Sequence, residues 1–387
     1  MMTALVYNNL SMKLYTITAI LALFTLLARS HLTSFRQSPL WLPIAFLLIG
    51  LIDLIWYSTF KSSDSPFRAT YHNYLNTAKV FSFGSIVMLL AVTSRIRITK
   101  ELILYILYSL AFIIMGATLY LKFGTDMTRI DFGIGTATGA AYSISFIGIL
   151  SSSAILCTRQ NHPILYVINV LATCVALVMT ETRAAILVFP VISAFTLILF
   201  YCKSIKQFVS ILGTFLAVLI AVGFFFKTPL TARYDEAVRD ITAYSNDNSQ
   251  TSIGARLAMQ HAGMATFLEH PLTGQSADSR AAEIKQLVTT DASLSGAIPY
   301  LNVHLHNEVI EAASLKGIAG TLSTLFLYFS LFITAWRYRS FALFGFALAL
   351  AGLGLSDVLI WARSIPIIFT MGLAVILLYG NSRKKEG

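Results

Sequence analysis

Charge is scarce in this chain of 387 residues: Asp, Glu, Lys and Arg together make up 12% of it. Soluble domains carry about 25%, so a soluble globular fold is excluded. Cysteine is scarcer still. Its three copies, Cys157, Cys174 and Cys202, all fall within or at the ends of apolar runs, which excludes a disulfide framework in any polar segment. Internal repeats and low-complexity tracts are absent. The glycines of GIGTATG (133–139) follow no strand, so they read as small residues packing a helix and not as a dinucleotide loop. His304 and His306 offer two metal positions, but no third ligand stands at a recognisable spacing, and a zinc reading is set aside.

What the chain has is apolar sequence, 56% of all residues. It comes in repeated runs of about 18–22 residues, each long enough to cross about 30 Å of hydrocarbon. The runs predict eleven spans: 12–28, 40–57, 75–93, 102–121, 137–157, 163–180, 184–202, 208–226, 313–335, 341–355 and 363–380. No small-residue cleavage site follows the first, so it reads as a retained anchor. The fold class is an all-α polytopic integral membrane protein of about eleven to twelve transmembrane helices with one large helical loop. The chain divides into helices 1–8 (1–226), the loop (227–305), and a last section of helices (306–387).

The net charge of +10 does not point to nucleic acid, because its distribution follows topology. One alternating set of connections holds Arg29 and Arg36, Arg95, Arg97 and Lys100, Arg159, Lys203 and Lys206, Arg337 and Arg339, and Arg383, Lys384 and Lys385. The other set is mixed, and its 227–305 loop carries six basic and eight acidic residues. The positive-inside rule places the first set in the cytoplasm and the large loop outside.

A loop this long needs structure of its own. Arg233–Tyr244 predicts an amphipathic helix with Tyr234, Val238 and Ile241 on one face. Arg256–Glu269 predicts a second, with Leu257, His261, Met264 and Leu268 as its stripe, ended by His270-Pro271. Residues 246–252 form a polar turn between them.

Few residues are placed to carry chemistry. His306-Asn307 is followed by nine residues, then Gly317, Gly320 and Thr321. On one continuous helix His306 and Gly317 would share a face, with Ala313, Gly317 and Thr321 as small residues four apart that admit a neighbouring helix. Spacing alone leaves two readings open: a functional histidine at the outer tip, or an interfacial one above a packing motif. Arg183 sits in a turn too short to hold it clear of the membrane, where charge is costly. Arg256 opens a loop helix, and its guanidinium together with the backbone N–H groups favours an anion. Asp357 lies between the last two spans with Arg363 six residues on, so structural pairing and chemistry are equally open. Asp53 lies near the outer end of the second span.

Taken together, these residues resemble the O-antigen ligases, in the superfamily that also holds O-antigen polymerases and bacterial O-oligosaccharyltransferases. The resemblance rests on the signature His306-Asn307, Gly317, Gly320 and Thr321, with the large outside loop just before it. Arg183 at a short outside turn, Arg256 followed by FLEHPLTGQ (267–275), and Asp357 after the signature helix also match. The family pattern has about twelve spans with both ends cytoplasmic, whereas eleven spans put this N-terminus outside.

The resemblance implies a GT-C-like glycosyltransferase architecture in the bacterial inner membrane, with its site facing the periplasm. It implies a polysaccharide donor on undecaprenyl diphosphate and a sugar hydroxyl of lipid A–core as acceptor, with no cofactor, metal or nucleotide. His306 would be the general base. Arg183 and Arg256 would stabilise the leaving diphosphate, Asp357 and Asn307 would support the base or the acceptor, and single attack would invert the anomeric centre. A polymerase would instead lengthen glycan on its carrier. A transporter or flippase would place polar groups at the bilayer midplane on interrupted helices, whereas here they gather towards one face.

Overall fold

The computed structural model describes residues 1–387 apart from 2–3, 5–7, 29–38, 95–98, 126, 128, 133–135, 158–162, 202–203, 226, 362–363 and 384–387. Several positions of the charge argument (Arg29, Arg36, Arg95, Arg97, Arg159, Lys203, Lys384 and Lys385), the start of GIGTATG, Cys202 and Arg363 lie outside the described residues. The described chain is helical throughout, with fourteen α-helices.

Eleven are the apolar helices expected: α1 (Asn8–Leu27), α2 (Trp41–Phe60), α3 (Arg68–Thr93), α4 (Lys100–Gly124), α5 (Ala137–Cys157), α6 (Pro163–Thr180), α7 (Arg183–Tyr201), α8 (Ile205–Phe225), α12 (Glu308–Tyr338), α13 (Phe341–Gly354) and α14 (Ile365–Arg383). Eight are long and apolar enough to span; α6, α13 and α14 provide shorter apolar stretches. The chain is a multi-pass membrane protein. The intervening segment folds as α9 (Lys227–Ser245), α10 (Ser252–Glu269), α11 (Ala277–Thr290) and a 3-10 turn (Ala292–Tyr300).

The membrane bundle is graded from centre to edge. The hydrophobic window of α5 is 94% buried within the protein, that of α8 only 6%. Sequence accounts for the contrast: α5 is built of Ala, Gly and Ser, small enough to admit neighbours on every side, while α8 turns Ile, Leu, Val and Phe outward to lipid. Phe46, Phe81, Phe146, Phe346 and Phe369, from α2, α3, α5, α13 and α14, interlock with ring centroids 5.0–6.4 Å apart. Successive apolar helices run in opposite directions through short connections. The C-terminal ends of α2, α6 and α13 therefore share one side of the bundle with the N-terminal ends of α3, α5, α7, α12 and α14.

Two expectations are corrected. In α10 the stripe of Leu257, Met264 and Leu268 faces outward; the buried face is Gly254, Ala255, Ala258, Met259, Ala262, Gly263 and Thr266. Small residues let the helix sit so close to its neighbours that packing outweighs side-chain size. A Cβ on Gly263 would lie 2.3 Å from Leu305. In α9, Tyr234, Val238 and Ile241 do share a face, but an exposed one.

The third correction concerns the signature helix. His306 and Gly317 do not share a continuous helix face, because α12 starts at Glu308 and its helical geometry is broken at Gly317 (φ 61°, ψ −151°). The break feeds the loop: Ile318 N–H donates to the Pro271 carbonyl at 2.7 Å, and Gln275 N–H to the Leu315 carbonyl at 2.9 Å. The signature glycines therefore act locally rather than against another helix. A Cβ at Gly317 would meet Pro271 O at 2.6 Å, and one at Gly320 would meet Lys316 and the Ala312 carbonyl across the break.

This backbone region is essentially reserved for glycine and costs other residues about 1–3 kcal/mol. Gly317→Ala is expected to lower the thermal unfolding midpoint in detergent. Gly116→Ala, at a helical position with nothing within 4 Å of a new Cβ, should not. Equal midpoints for the two variants would refute this account of the break.

Candidate active site

Residues 304–306 alternate, as an extended segment requires. Leu305 is buried in the loop core with Ala258, Met259, Ala262, Ile284, Leu294 and Ala297. Its two neighbours turn the other way, onto Asp357. His306 Nδ1 is 3.1 Å and His304 Nε2 3.3 Å from the same oxygen, Asp357 Oδ1. The imidazole rings stand 4.4 Å apart, with Trp361 4.9 Å from His304 and Tyr300 6.2 Å from His306, edge-on.

The sequence fixes this pair of histidines locally. His306 has left-handed backbone geometry (φ 51°), tolerated by histidine more often than by most residues. Asn307 then caps α12, its Oδ1 accepting from Val309 and Ile310 N–H at 3.1 Å each. Its amide reaches Leu355 O at 3.4 Å, in the turn that carries Asp357. Gln260, from α10, donates to the His306 carbonyl at 3.1 Å.

The tautomers follow from the contacts. His304 Nδ1 accepts from the His306 backbone N–H at 3.4 Å, so the proton of the neutral ring is on Nε2, facing Asp357. Burial pushes His304 down to about 4 against the pull of Asp357, which keeps it neutral at pH 7. His306 presents Nδ1 to Asp357 at ion-pair distance, but off the angle of a good hydrogen bond, and that buried atom has no other partner. A proton on Nδ1 leaves Nε2 as the free acceptor. Burial would raise the Asp357 carboxyl, but His306, His304 and the Val358 N–H hold it well below the usual carboxylate range. Tyr142 of α5 donates to Asp357 Oδ2 at 2.9 Å. The partner of Asp357 is thus the histidine pair; Arg363 lies outside the described residues.

The two arginines sit differently. Arg256, half-buried on the first turns of α10, makes no hydrogen bond or ion pair with any described residue, and its charge is felt at Tyr142. Arg183, first residue of α7, is held by α9, with Nη2 2.8 Å from Glu236 and Nη1 3.0 Å from Asp240. That Arg183 contact, with Arg233, keeps Glu236 below the usual carboxylate range. Asp240 also accepts from Ile253 N–H at 3.4 Å, so Arg183 is tied to the start of the helix bearing Arg256. His306 and Asp357 are brought into direct contact, Asn307 reaches the Asp357 turn at Leu355 O, Arg256 comes within electrostatic reach of Tyr142, and Arg183 is linked only through α9.

Sequence reasoning missed a second layer. Glu311 accepts from Tyr74 Oη (2.7 Å), Arg280 Nη1 (2.8 Å) and Leu305 N–H (2.9 Å). Glu308 accepts from Leu359 and Ile360 N–H. Lys316 meets Asp53 at 2.7 Å and lies over the Tyr74 ring. The signal was available in HNEVIE, two acids at the head of a membrane helix. Starting the span at 313 left them reading as loop residues.

His304, His306 and Asp357 also bring three ligand-type atoms within 4.8 Å of one another, the third ligand that local spacing could not supply. Asp357 Oδ1 faces both imidazoles in this cluster, and His306 Nδ1 makes no hydrogen bond within it.

Neutral burial of His304 makes stability depend on pH. The unfolded chain takes up this proton near 6.5, the folded one only near 4, so stability is full above about 6.5 and falls as pH drops towards 4. The unfolding midpoint should fall across that window, and less in His304→Gln. Parallel curves for the two proteins would contradict the buried neutral assignment.

A protein-family model described as O-antigen ligase matches residues 168–325, from α6 through the loop into α12. A curated O-antigen ligase of Escherichia coli (strain K12) is 49% identical over 381 residues, 98% of this chain and 91% of that protein. Similarity of that extent covers the bundle, the loop and every residue of the His306–Asp357 cluster, and the chain belongs to the O-antigen ligase family of glycosyl-transferring enzymes in lipopolysaccharide synthesis.

Proposed function

We propose that this enzyme transfers O-polysaccharide from undecaprenyl diphosphate to a sugar hydroxyl of lipid A–core, at the periplasmic face of the bacterial inner membrane. The observation that carries the chemistry is the ordered pair His306–Asp357: a carboxylate on Nδ1 and a free Nε2, the arrangement a general base needs. Family membership supports the substrate classes.

The reaction forms one bond and breaks one. The acceptor oxygen attacks the anomeric carbon as the carbon–oxygen bond to the carrier diphosphate breaks, and that electron pair leaves with the diphosphate. The acceptor's proton passes to His306 Nε2, and Asp357 stabilises the resulting imidazolium. Arg256, without a protein counter-ion among the described residues, offers its guanidinium to the charge growing on the leaving group. Arg183 binds diphosphate in exchange for the Glu236 and Asp240 oxygens, which occupy its fork as phosphate oxygens would. Attack from the face opposite the departing diphosphate inverts the anomeric centre. The diphosphate bond supplies the driving force, so neither nucleotide nor metal is required, and the oxygens of Glu236 and Asp240 are replaced rather than joined.

Purified protein, lipid-diphosphate glycan and lipid A–core, with chelator and without nucleotide, should give glycan on the core by gel mobility. His306→Ala should lose about 10²–10⁴ in rate, and Arg256→Ala about 10²–10³. Loss of transfer to the chelator would reassign His304, His306 and Asp357 to an ion. Glycan that lengthens on its carrier while the core stays bare would make the protein a polymerase, and a retained anomeric configuration would remove the single-attack mechanism.

A further inference from the structure

Glu308 has no place in the transfer chemistry above, yet it is 4% exposed at the head of a membrane helix, where a carboxylate needs strong compensation. Its compensation is unusual in kind. One oxygen, Oε2, accepts two successive backbone N–H groups, from Leu359 at 2.7 Å and Ile360 at 3.1 Å. Neither bond is to a cation. Leu359 and Ile360 stand two and three positions after Asp357 in the turn between α13 and α14, and Asp357 itself braces the same turn by accepting from Val358 N–H at 2.9 Å.

The other end of Glu308 is as constrained. It is the first residue of α12, two positions after His306 and one after the Asn307 cap. Gly354, at the end of α13, leaves just enough room for it: a Cβ there would stand 3.3 Å from Glu308 Cβ and 2.8 Å from Tyr328 Oη. One residue thus joins, by its backbone, the segment that carries the base and, by its side chain, the turn that carries the acid. Besides Glu308, the two segments are linked by the 3.4 Å contact of Asn307 to Leu355 O, by His304 against Asp357 and Trp361, and by the 3.1 Å approach of His306 to Asp357. Among these, Glu308 alone bonds the backbone of the Asp357 turn at two successive N–H groups.

We infer that Glu308 is a positioning residue of the transfer reaction: its reach to the Leu359 and Ile360 N–H groups sets the separation of His306 and Asp357. The inference rests on the assignment of His306 as base and Asp357 as its partner. It requires an acceptor of the right length, and no charge.

The test measures kcat and KM for transfer by the full-length protein. Glu308→Gln keeps the length and the acceptor, and should stay within about threefold of wild type. Glu308→Asp keeps the charge and the polarity of the site but falls a methylene short. Its kcat should drop about 10–100-fold, the cost of a misplacement near 1 Å, with KM for both substrates little changed. In an Asp357→Asn background, where there is no partner left to position, the loss caused by Glu308→Asp should shrink to under threefold. The inference is overturned if Glu308→Gln is as damaging as Glu308→Asp, which would make charge the requirement. It is overturned equally if the Glu308→Asp loss persists undiminished in Asp357→Asn, which would make the role merely structural. Should Asp357→Asn alone transfer at the wild-type rate, the catalytic assignment itself fails, and the inference falls with it by a separate and visible route.

Discussion

Three parts of the chain that are far apart in sequence meet at the Glu311 carboxylate. Tyr74 comes from the start of α3, Arg280 from the loop helix α11, and Leu305 from the segment between the two histidines. Both members of the Arg280–Glu311 pair are almost completely buried. Removing one side of such a pair costs about 3–5 kcal/mol, because the survivor is left charged and unmet. The loop is therefore not an independent domain resting on a bundle. It is bolted to the bundle at a point where displacement would be felt by His304 and His306.

The same constraint orders this side of the bundle. Apolar helices can be placed by burial alone, and burial does not distinguish one rotation of a helix from a slightly different one. Paired charges do. Lys316 with Asp53 fixes α12 against α2, Arg280 with Glu311 fixes the loop against α12, and Arg183 with Glu236 and Asp240 fixes α9 over α7. These contacts lie towards the ends of α2, α7 and α12 that share one side of the bundle. A molecule built to pass a substrate through the bilayer would place such groups near the midplane; this one gathers them towards one side of the bundle, as the proposed transfer between two lipid-anchored substrates requires.

How much of this was legible in the sequence depended on range. Apolar runs report their own burial, so the positions of the helices followed from composition and length. His306, Asn307 and Asp357 stood out because polar groups beside membrane helices are few. What failed was whatever depends on a neighbour. The α10 stripe was misjudged because Ala and Gly gain burial by close approach, a property of the partner surface and not of their own hydrophobicity. The break at Gly317 was invisible for the same reason: a glycine in a helical pattern looks like packing until a carbonyl such as Pro271 O is found accepting from the next residue. His304 was set aside for want of a third ligand that arrives only with Asp357, some fifty positions later. Arg183 was found, but the acids that hold it lie on a helix whose placement no local pattern encodes.

The unequal treatment of the two arginines is the clearest physical statement about substrate. A guanidinium in a half-buried site is normally matched by an acid, as Arg183 and Arg233 are. Arg256 is left unmatched among the described residues, beside a tyrosine already engaged by Asp357. Leaving it so is unfavourable for the protein alone and becomes favourable only when an anion arrives. On the proposed mechanism the binding energy of that anion would be spent near His306 rather than at a distance from it. Arg183 works the other way. Its acids keep it oriented, so on the proposed mechanism the fork is already formed before diphosphate exchanges for them, and the entropy of ordering that side chain would not fall on the substrate. One arginine supplies unmet charge, the other a preformed geometry, and Asp357 stays ionised between two imidazoles so that neither arginine needs to neutralise it. On the proposed mechanism, the site would therefore accept a doubly charged leaving group without surrendering the carboxylate beside His306.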